Sequence, residues 1–206
     1  MVLSIHYRHR SMQQTIGLLG AVALSLAVGC GGGGGAQQQP VASVKYGAVG
    51  SYPITECLKD NASGLMWEGK AGSGLRAGGL TYTNYDSTAV PQVLANAAYA
   101  TATQAQLDAT TNAVGYKKAV NALALCGYTD WRLPSRDELK GLVEPKASPT
   151  GANIDGLWFS NTPAYVYWTA SPYETNASYA WLVDFFDGST AVSFDRGTGA
   201  HIRLVR

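Results

Sequence analysis

Apolar positions after Tyr116 recur at intervals of three and four. Tyr116, Val120, Leu123 and Ala124 mark one face of an amphipathic helix that stops at Gly127. A second helix is signalled by polar residues. Ser135, with Glu138 three places later, forms a capping box ahead of an apolar face made by Leu139, Leu142 and Val143, and Pro145 ends the segment. Residues 146–164 show no period and read as loop. Beyond Tyr165 the period falls to two. Tyr165 to Ala170 is an aromatic strand, and in Tyr179 to Phe186 the residues Trp181, Val183 and Phe185 share one face. Asp187-Gly188 is a strong hairpin signal. It predicts a return strand over Ser189 to Asp195, and Gly197-Thr198-Gly199 then turns the chain into a last strand over 200–206. Upstream, residues 56–68 read as two short strands around Asp60, Asn61, Ser63 and Gly64. Residues 69–91 are rich in Gly and Tyr and read as a surface loop. The Ala/Thr/Gln-rich stretch Val93 to Ala113 is a helix or a long insertion, and its periodicity leaves both open. Two helices followed by a late antiparallel β-meander predict an α+β domain.

Composition changes this picture at the N-terminus. Arg8 and Arg10 precede an apolar run from Ile16 to Val28, closed by Gly29 and Cys30. That order is a secretory signal peptide, and the run is shorter than the ~20 residues a membrane span needs. Leu26-Ala27-Val28-Gly29-Cys30 resembles a bacterial lipobox, although Ala27 stands where leucine is usual. The resemblance implies cleavage after residue 29 and lipid on Cys30, with a plain secreted protein as the alternative. Gly31, rather than Asp, after Cys30 favours the outer membrane of a Gram-negative cell. Five consecutive glycines, then Ala36, three glutamines and Pro40, make residues 30–43 a flexible tether. The globular domain is expected over 44–206. The formal charge is only +1, which gives no electrostatic case for nucleic acid.

Two cysteines remain, Cys57 and Cys126, and export makes a disulfide between them the leading expectation. Free buried thiols are the alternative. A metal site is not expected, since the chain after Cys30 has one histidine, His201, and no CxxC pair. Asp184, Asp187 and Asp195 offer oxygens for Ca²⁺, but Asp187 is more simply the hairpin residue. The motifs of a serine hydrolase, a zinc protease, a P-loop or a dinucleotide fold are all absent from the sequence, so neither catalysis nor a cofactor is expected.

Five segments together are similar to one bacterial family. They are 57–68 (CLKDNASGLMWE), 126–139 (CGYTDWRLPSRDEL), 167–171 (YWTAS), 180–185 (AWLVDF) and 202–206 (IRLVR). In this order they resemble the C-terminal domain of Legionella collagen-like protein. The block at 130–139 also resembles a motif of formylglycine-generating-type proteins, which implies a C-type-lectin-like fold. The reactive cysteines of those enzymes have no counterpart after Cys126. Family members often end in an Arg-Cys-Val-Arg-like string, and Leu204 stands here instead, leaving Cys57–Cys126 as the one pairing. The stretch 81–113 does not match and reads as an insertion. The family's adhesin member implies a role in adhesion to sulfated glycosaminoglycans. Against this, residues 126–206 hold seven Lys/Arg and nine Asp/Glu, whereas a sulfated polymer needs a positive surface.

The expected role is thus a lipid-anchored envelope binding or adhesion module recognising glycans or extracellular polymers. The alternative is a structural envelope protein that contacts other proteins or cell-wall material. Asp130, Trp131, Arg132, Ser135 and Glu138 are expected to be structural, with Arg132 buried and paired to Asp130, Asp137 or the chain end. Trp131, Trp168 and Trp181 read first as core. The functional alternative makes Trp168 or Trp181, with Tyr173 or Tyr179, an aromatic face for a sugar ring. Arg196 and Arg203, together with Arg206, are expected to add positive charge on the last strands.

Overall fold

The computed structural model describes residues 44–96, 98–145, 149–190 and 194–206. The signal segment, Cys30, the tether and the middle of the expected return strand lie outside the described residues. The fold mixes short helices with three antiparallel sheets. The first sheet joins β1 (Tyr46–Ala48), β2 (Cys57–Asp60) and β3 (Met66–Glu68) in that order. The second is a hairpin of β4 (Val93–Ala95) and β5 (Ala98–Ala100). The third joins β6 (Val166–Pro172), β7 (Tyr179–Asp184) and β8 (Phe194–Asp195). The helices are α1 (Gln104–Asp108), α2 (Ala113–Ala122) and α3 (Arg136–Lys140), with a 3₁₀ turn over Leu125–Gly127.

The strands at the centre are buried on both faces. Neighbouring residues enter opposite core clusters: Cys57 and Leu58, Met66 and Trp67, Trp168 and Tyr167, Leu182 and Val183, Leu204 and Val205. Because side chains alternate along a strand, burial on both sides turns an alternating pattern into a continuous apolar run. This corrects the face expected for β7. Val183 and Phe185 are buried as expected, but so are Ala180 and Leu182 on the other side, and Trp181 is only partly buried.

The last residues hold this layer together. Met66 and Arg206 exchange both backbone bonds at 2.9 Å, and Arg132 and Val205 do the same at 2.9 Å. His201 donates to Val166 (3.0 Å) and accepts from Trp168 (2.9 Å). Residues 200–206 were expected to form an ordinary strand. Instead they run as a seam of single bridges between the first and third sheets, and all but Arg206 are buried.

Several local expectations change in detail. α2 begins at Ala113 and ends at Ala122, before the expected stop. Leu123 lies outside it and is 63% exposed, while Ala124 takes a left-handed backbone (φ 47°). The Ser135 box forms as read, with Glu138 N–H donating to Ser135 Oγ and Ser135 N–H to Glu138 Oε2. α3 nevertheless ends at Lys140, well short of Pro145. Gly188, at φ 78°, lets the chain turn after Asp187, whose carboxylate accepts from Ser189 N–H (2.8 Å). The stretch 69–91 is not merely a surface loop, because Lys70, Tyr82 and Asn84 within it are buried.

The stretch 81–113 contains the β4–β5 hairpin and α1, and both of its ends are tied into the core. Tyr82 exchanges backbone bonds with Ala200. Asn112 stands at the N-cap of α2 but spends its side chain elsewhere. Its oxygen accepts from Thr83 Oγ1 (3.0 Å) and Tyr85 N–H (2.9 Å), and its nitrogen donates to Tyr85 O (3.1 Å) and Leu107 O (3.2 Å). The excursion is therefore pinned at its base like a closed loop.

Candidate functional site

The block 130–138 builds one wall of a cleft. Trp131 anchors it from inside, fully buried, with Nε1 donating to Leu125 O (3.0 Å) and its backbone clasped by the Asn121 amide. Arg132 points the other way. Its guanidinium forks onto Glu138, Nη1 to Oε2 at 2.8 Å and Nη2 to Oε1 at 2.6 Å. The expectation of a buried Arg132 paired with an aspartate is overturned, since its side chain is 47% exposed. Asp130 is taken by Arg206 (2.7 Å), and Asp137 by Arg136 (3.2 Å). The Arg132 fork and then the Ser135 backbone pull the Glu138 carboxyl down to about 2, against the effect of burial. That contribution is present above the ordinary carboxyl range and is lost as pH falls toward 2. An exposed pair contributes little, so Arg132→Ala should cost about 1 kcal/mol or less. A thermal melt should then shift by no more than about 2–4 °C. A drop several times larger would restore the buried-network assignment.

The cleft has a volume of about 330 Å³. Arg132, Leu133 and Ser135 line one side, Ala113, Val114 and Lys117 of α2 another, and Ala170 of β6 a third. Asn84, Asp86 and Arg196 complete the lining. Arg196 is 4% exposed and donates to Asn84 O and Ala177 O, both at 3.0 Å, while pairing with Asp86 at 3.0 Å. Burial lowers its pKa and Asp86 opposes the shift. Burial works against the Asp86 charge, but bonds from Thr88, the Arg196 charge and Gln92 carry its pKa below the ordinary value. Two of the three cations on the wall are thus already neutralised. Among the described residues, Lys117 is the cleft cation with no ion pair. A depression of about 360 Å³ over Ala71, Gly78 and Asn161 is larger, but no ionisable side chain lines it.

The expected ligand set does not stay together. Trp168 is fully buried, its Nε1 donating to Tyr82 O (2.8 Å), so its ring cannot meet a sugar. Arg203 is also fully buried, reaching Glu68 O and Thr162 Oγ1 (both 2.6 Å). Arg196, Arg203 and Arg206 therefore face different partners and form no cationic patch. Tyr173 and Trp181 do meet, edge to face at 5.5 Å between ring centroids, with the Arg136 guanidinium 4.8 Å from the Trp181 ring. Trp181 Nε1 donates to Glu174 (3.1 Å), which fixes the indole at the surface. The Tyr179 hydroxyl lies 3.4 Å from that of Tyr99. Among the described residues, no cluster of metal-ligating side chains forms, and Asp184, Asp187 and Asp195 do not gather.

The Cys57–Cys126 disulfide is present, closing a sequence separation of 69 residues. One comparison decides the family. A family profile for the Lcl C-terminal domain matches residues 56–206. This chain belongs to the Lcl C-terminal domain family. The match spans the disulfide, the cleft wall and the C-terminal seam, and it points to an envelope-associated domain. No curated protein and no solved structure shows significant similarity to the chain.

The sequence reading missed the charged centre of this Lcl C-terminal domain. Glu68, Lys70 and Arg203 are all buried, and Lys70 Nζ reaches Glu68 Oε2 (3.0 Å) and Tyr116 Oη (2.8 Å). Tyr116 donates in turn to Glu68 Oε1. Two signals are in the sequence: Glu68 closes the apolar β3 with Lys70 two places on, and Arg203 interrupts the apolar run 202–205.

Proposed function

We propose that this protein is a lipid-anchored binding module of the cell envelope, held through Cys30 in the outer membrane of a Gram-negative bacterium. It acts by recognition rather than catalysis, on a C-type-lectin-like scaffold, and its ligand is a glycan or another extracellular polymer. The observation that carries the reading is the cleft of about 330 Å³, a size within the range of small-ligand sites. Its lining offers prepositioned polar groups, small apolar shoulders at Ala113, Val114 and Ala170, and charges that are paired except at Lys117. Such a wall suits shape-selective contact with a neutral or weakly charged chain.

The test uses the full chain extracted in detergent and applied to immobilised bacterial and host polysaccharides. At least one polymer should retain the protein. Ala170→Trp, at an exposed position of the cleft, should abolish retention without lowering the melting temperature. Equal retention of both proteins overturns the cleft as the seat. Failure to bind any polymer overturns the recognition reading in favour of a structural envelope role. Expressed in a Gram-negative host, the Cys30→Ser protein should move from the detergent phase to the aqueous phase, and unchanged partition overturns the lipid anchor.

A further inference from the structure

The first turn of α2 opens into the cleft without a counter-charge. Asn112 stands at the N-cap but makes no capping bond, and no acid follows in that turn. Among the described residues, Val114 N–H, on the cleft wall, has no acceptor. Lys117, one turn on, shares the cleft-facing side of the helix and pairs with no carboxylate. The positive end of the helix dipole and a free ammonium thus act on the same space. Arg132 and Arg196 add no net charge, because Glu138 and Asp86 neutralise them. The lining is matched to one negative charge.

A fixed acceptor stands in the same cleft. Asn84 is 5% exposed, and its Nδ2 donates to Thr169 O (3.1 Å), which sets the orientation of the amide. Its Oδ1 accepts from no described residue and keeps accessible surface in the cleft. An amide oxygen held in place with no internal donor calls for one from a ligand. Ser135 Oγ accepts from Glu138 N–H (3.2 Å), and its own proton has no acceptor among the described residues.

We propose that the cleft captures the carboxyl end of a peptide whose last residues are small and apolar. The terminal carboxylate meets Lys117 and the first turn of α2, and the last peptide N–H donates to Asn84 Oδ1. Methyl side chains rest on Ala113, Val114 and Ala170. The chemistry selects this class. One free cation balances a monoanion, not a sulfated chain. The ligand must also carry a donor close to its anion, as the amide of a C-terminal residue does. A uronic acid ring has a hydroxyl near its carboxylate, but it would set further hydroxyls against the aliphatic shoulders, where they find no partner. The proposal rests on the cleft being a ligand seat, and it adds a peptide end or branch to the polymer named above.

Saturation-transfer NMR on the full chain in detergent tests it, with N-acetyl-Ala-Ala as probe in its L,L and D,D forms. At least one form should bind, and the two arms separate an ordinary protein end from a D-residue cell-wall peptide. The C-terminal amide of that dipeptide, and its analogue N-methylated at the last residue, should each bind about tenfold or more weakly. Lys117→Gln, at a partly exposed position outside any ion pair, should weaken binding of the acid about tenfold. Ala170→Trp should abolish it. Absence of binding by both forms of the acid overturns the proposal. So does equal binding of the acid and either analogue, undiminished binding by Lys117→Gln, or tighter binding of methyl glucuronide or sulfate. If the acids fail while Ala170→Trp still abolishes retention on a polysaccharide, the peptide falls and the cleft stands as a seat. If Ala170→Trp alters neither readout, the seat falls with it.

Discussion

Glu68→Gln is expected to lower the melting temperature by about 10 °C, the largest effect of any isosteric change in this domain. The carboxylate is wholly buried and lies 3.0 Å from Lys70 Nζ and 3.6 Å from Arg76 Nε, with Arg203 held on its own backbone oxygen. Its second oxygen also accepts Leu204 N–H (3.0 Å), tying the C-terminal seam to β3. Removing one partner of a buried ion pair costs about 3–5 kcal/mol, because the remaining charges stay desolvated. Here three cations would face one another without a counter-charge. Burial pushes the Lys70 ammonium down to about 8, with Glu68 opposing and Arg203 and Arg76 adding to the shift. In the unfolded chain that amine titrates near 10.5. Between those values the unfolded state binds more protons than the native one, so stability should rise with pH from about 8 to 10. Above that window the trend reverses. Tyr82, Tyr116 and Tyr167, raised by burial, stay protonated in the fold after the unfolded phenols have ionised. Urea unfolding at successive pH values should trace this maximum in wild type. A steady decline from pH 7, or a Glu68→Gln melt within about 2 °C of wild type, contradicts the assignment.

Loss of the Cys57–Cys126 bond is the second large effect. A loop of 69 residues restrains the unfolded chain by roughly 4 kcal/mol on the entropy account, or about 8–16 °C in melting temperature. The native state adds a local reason. Cys126 holds a left-handed backbone at φ 53°, two residues after Ala124 at φ 47°, a conformation that L-residues adopt at a cost. The crosslink pins that corner to the start of β2, beneath Trp131. The paired substitution Cys57→Ala with Cys126→Ala should show the full drop, and reductant should then have no further effect. Equal melting of wild type with and without reductant, with both thiols alkylated in the reduced sample, would remove the bond from the stability argument.

What could be read from the chain was local. The Ser135–Glu138 box, the turn between β2 and β3, and the Asp187-Gly188 corner each depend on residues a few positions apart. Their chemistry is complete within the segment that shows it. What could not be read depends on what lies across the fold. Trp181 and Trp168 differ little in sequence context, yet one strand face meets solvent near Arg136 and the other meets Tyr82. The partner of Arg132 was sought among aspartates, whereas the capping glutamate, already committed to the backbone of Ser135, had a second edge free. The β4–β5 hairpin lies in an Ala/Thr/Gln-rich stretch with no alternating pattern, because all of β5 is exposed. The charged centre was invisible for the opposite reason. A buried Glu68 is improbable until Lys70, Arg76 and Arg203 are seen to converge on it.

The seam formed by residues 200–206 also carries a temporal consequence. β1 to β3 are complete by Glu68, but their neighbour in the layer lies more than a hundred residues further along the chain. Until Ile202, Leu204 and Val205 are available, Trp67 and Trp168 have open flanks and Glu68 lacks two of its donors. The domain cannot lock until this seam is in place. Its closure waits on pairings between segments far apart in sequence, so the final step of folding should be much slower than formation of the local hairpins.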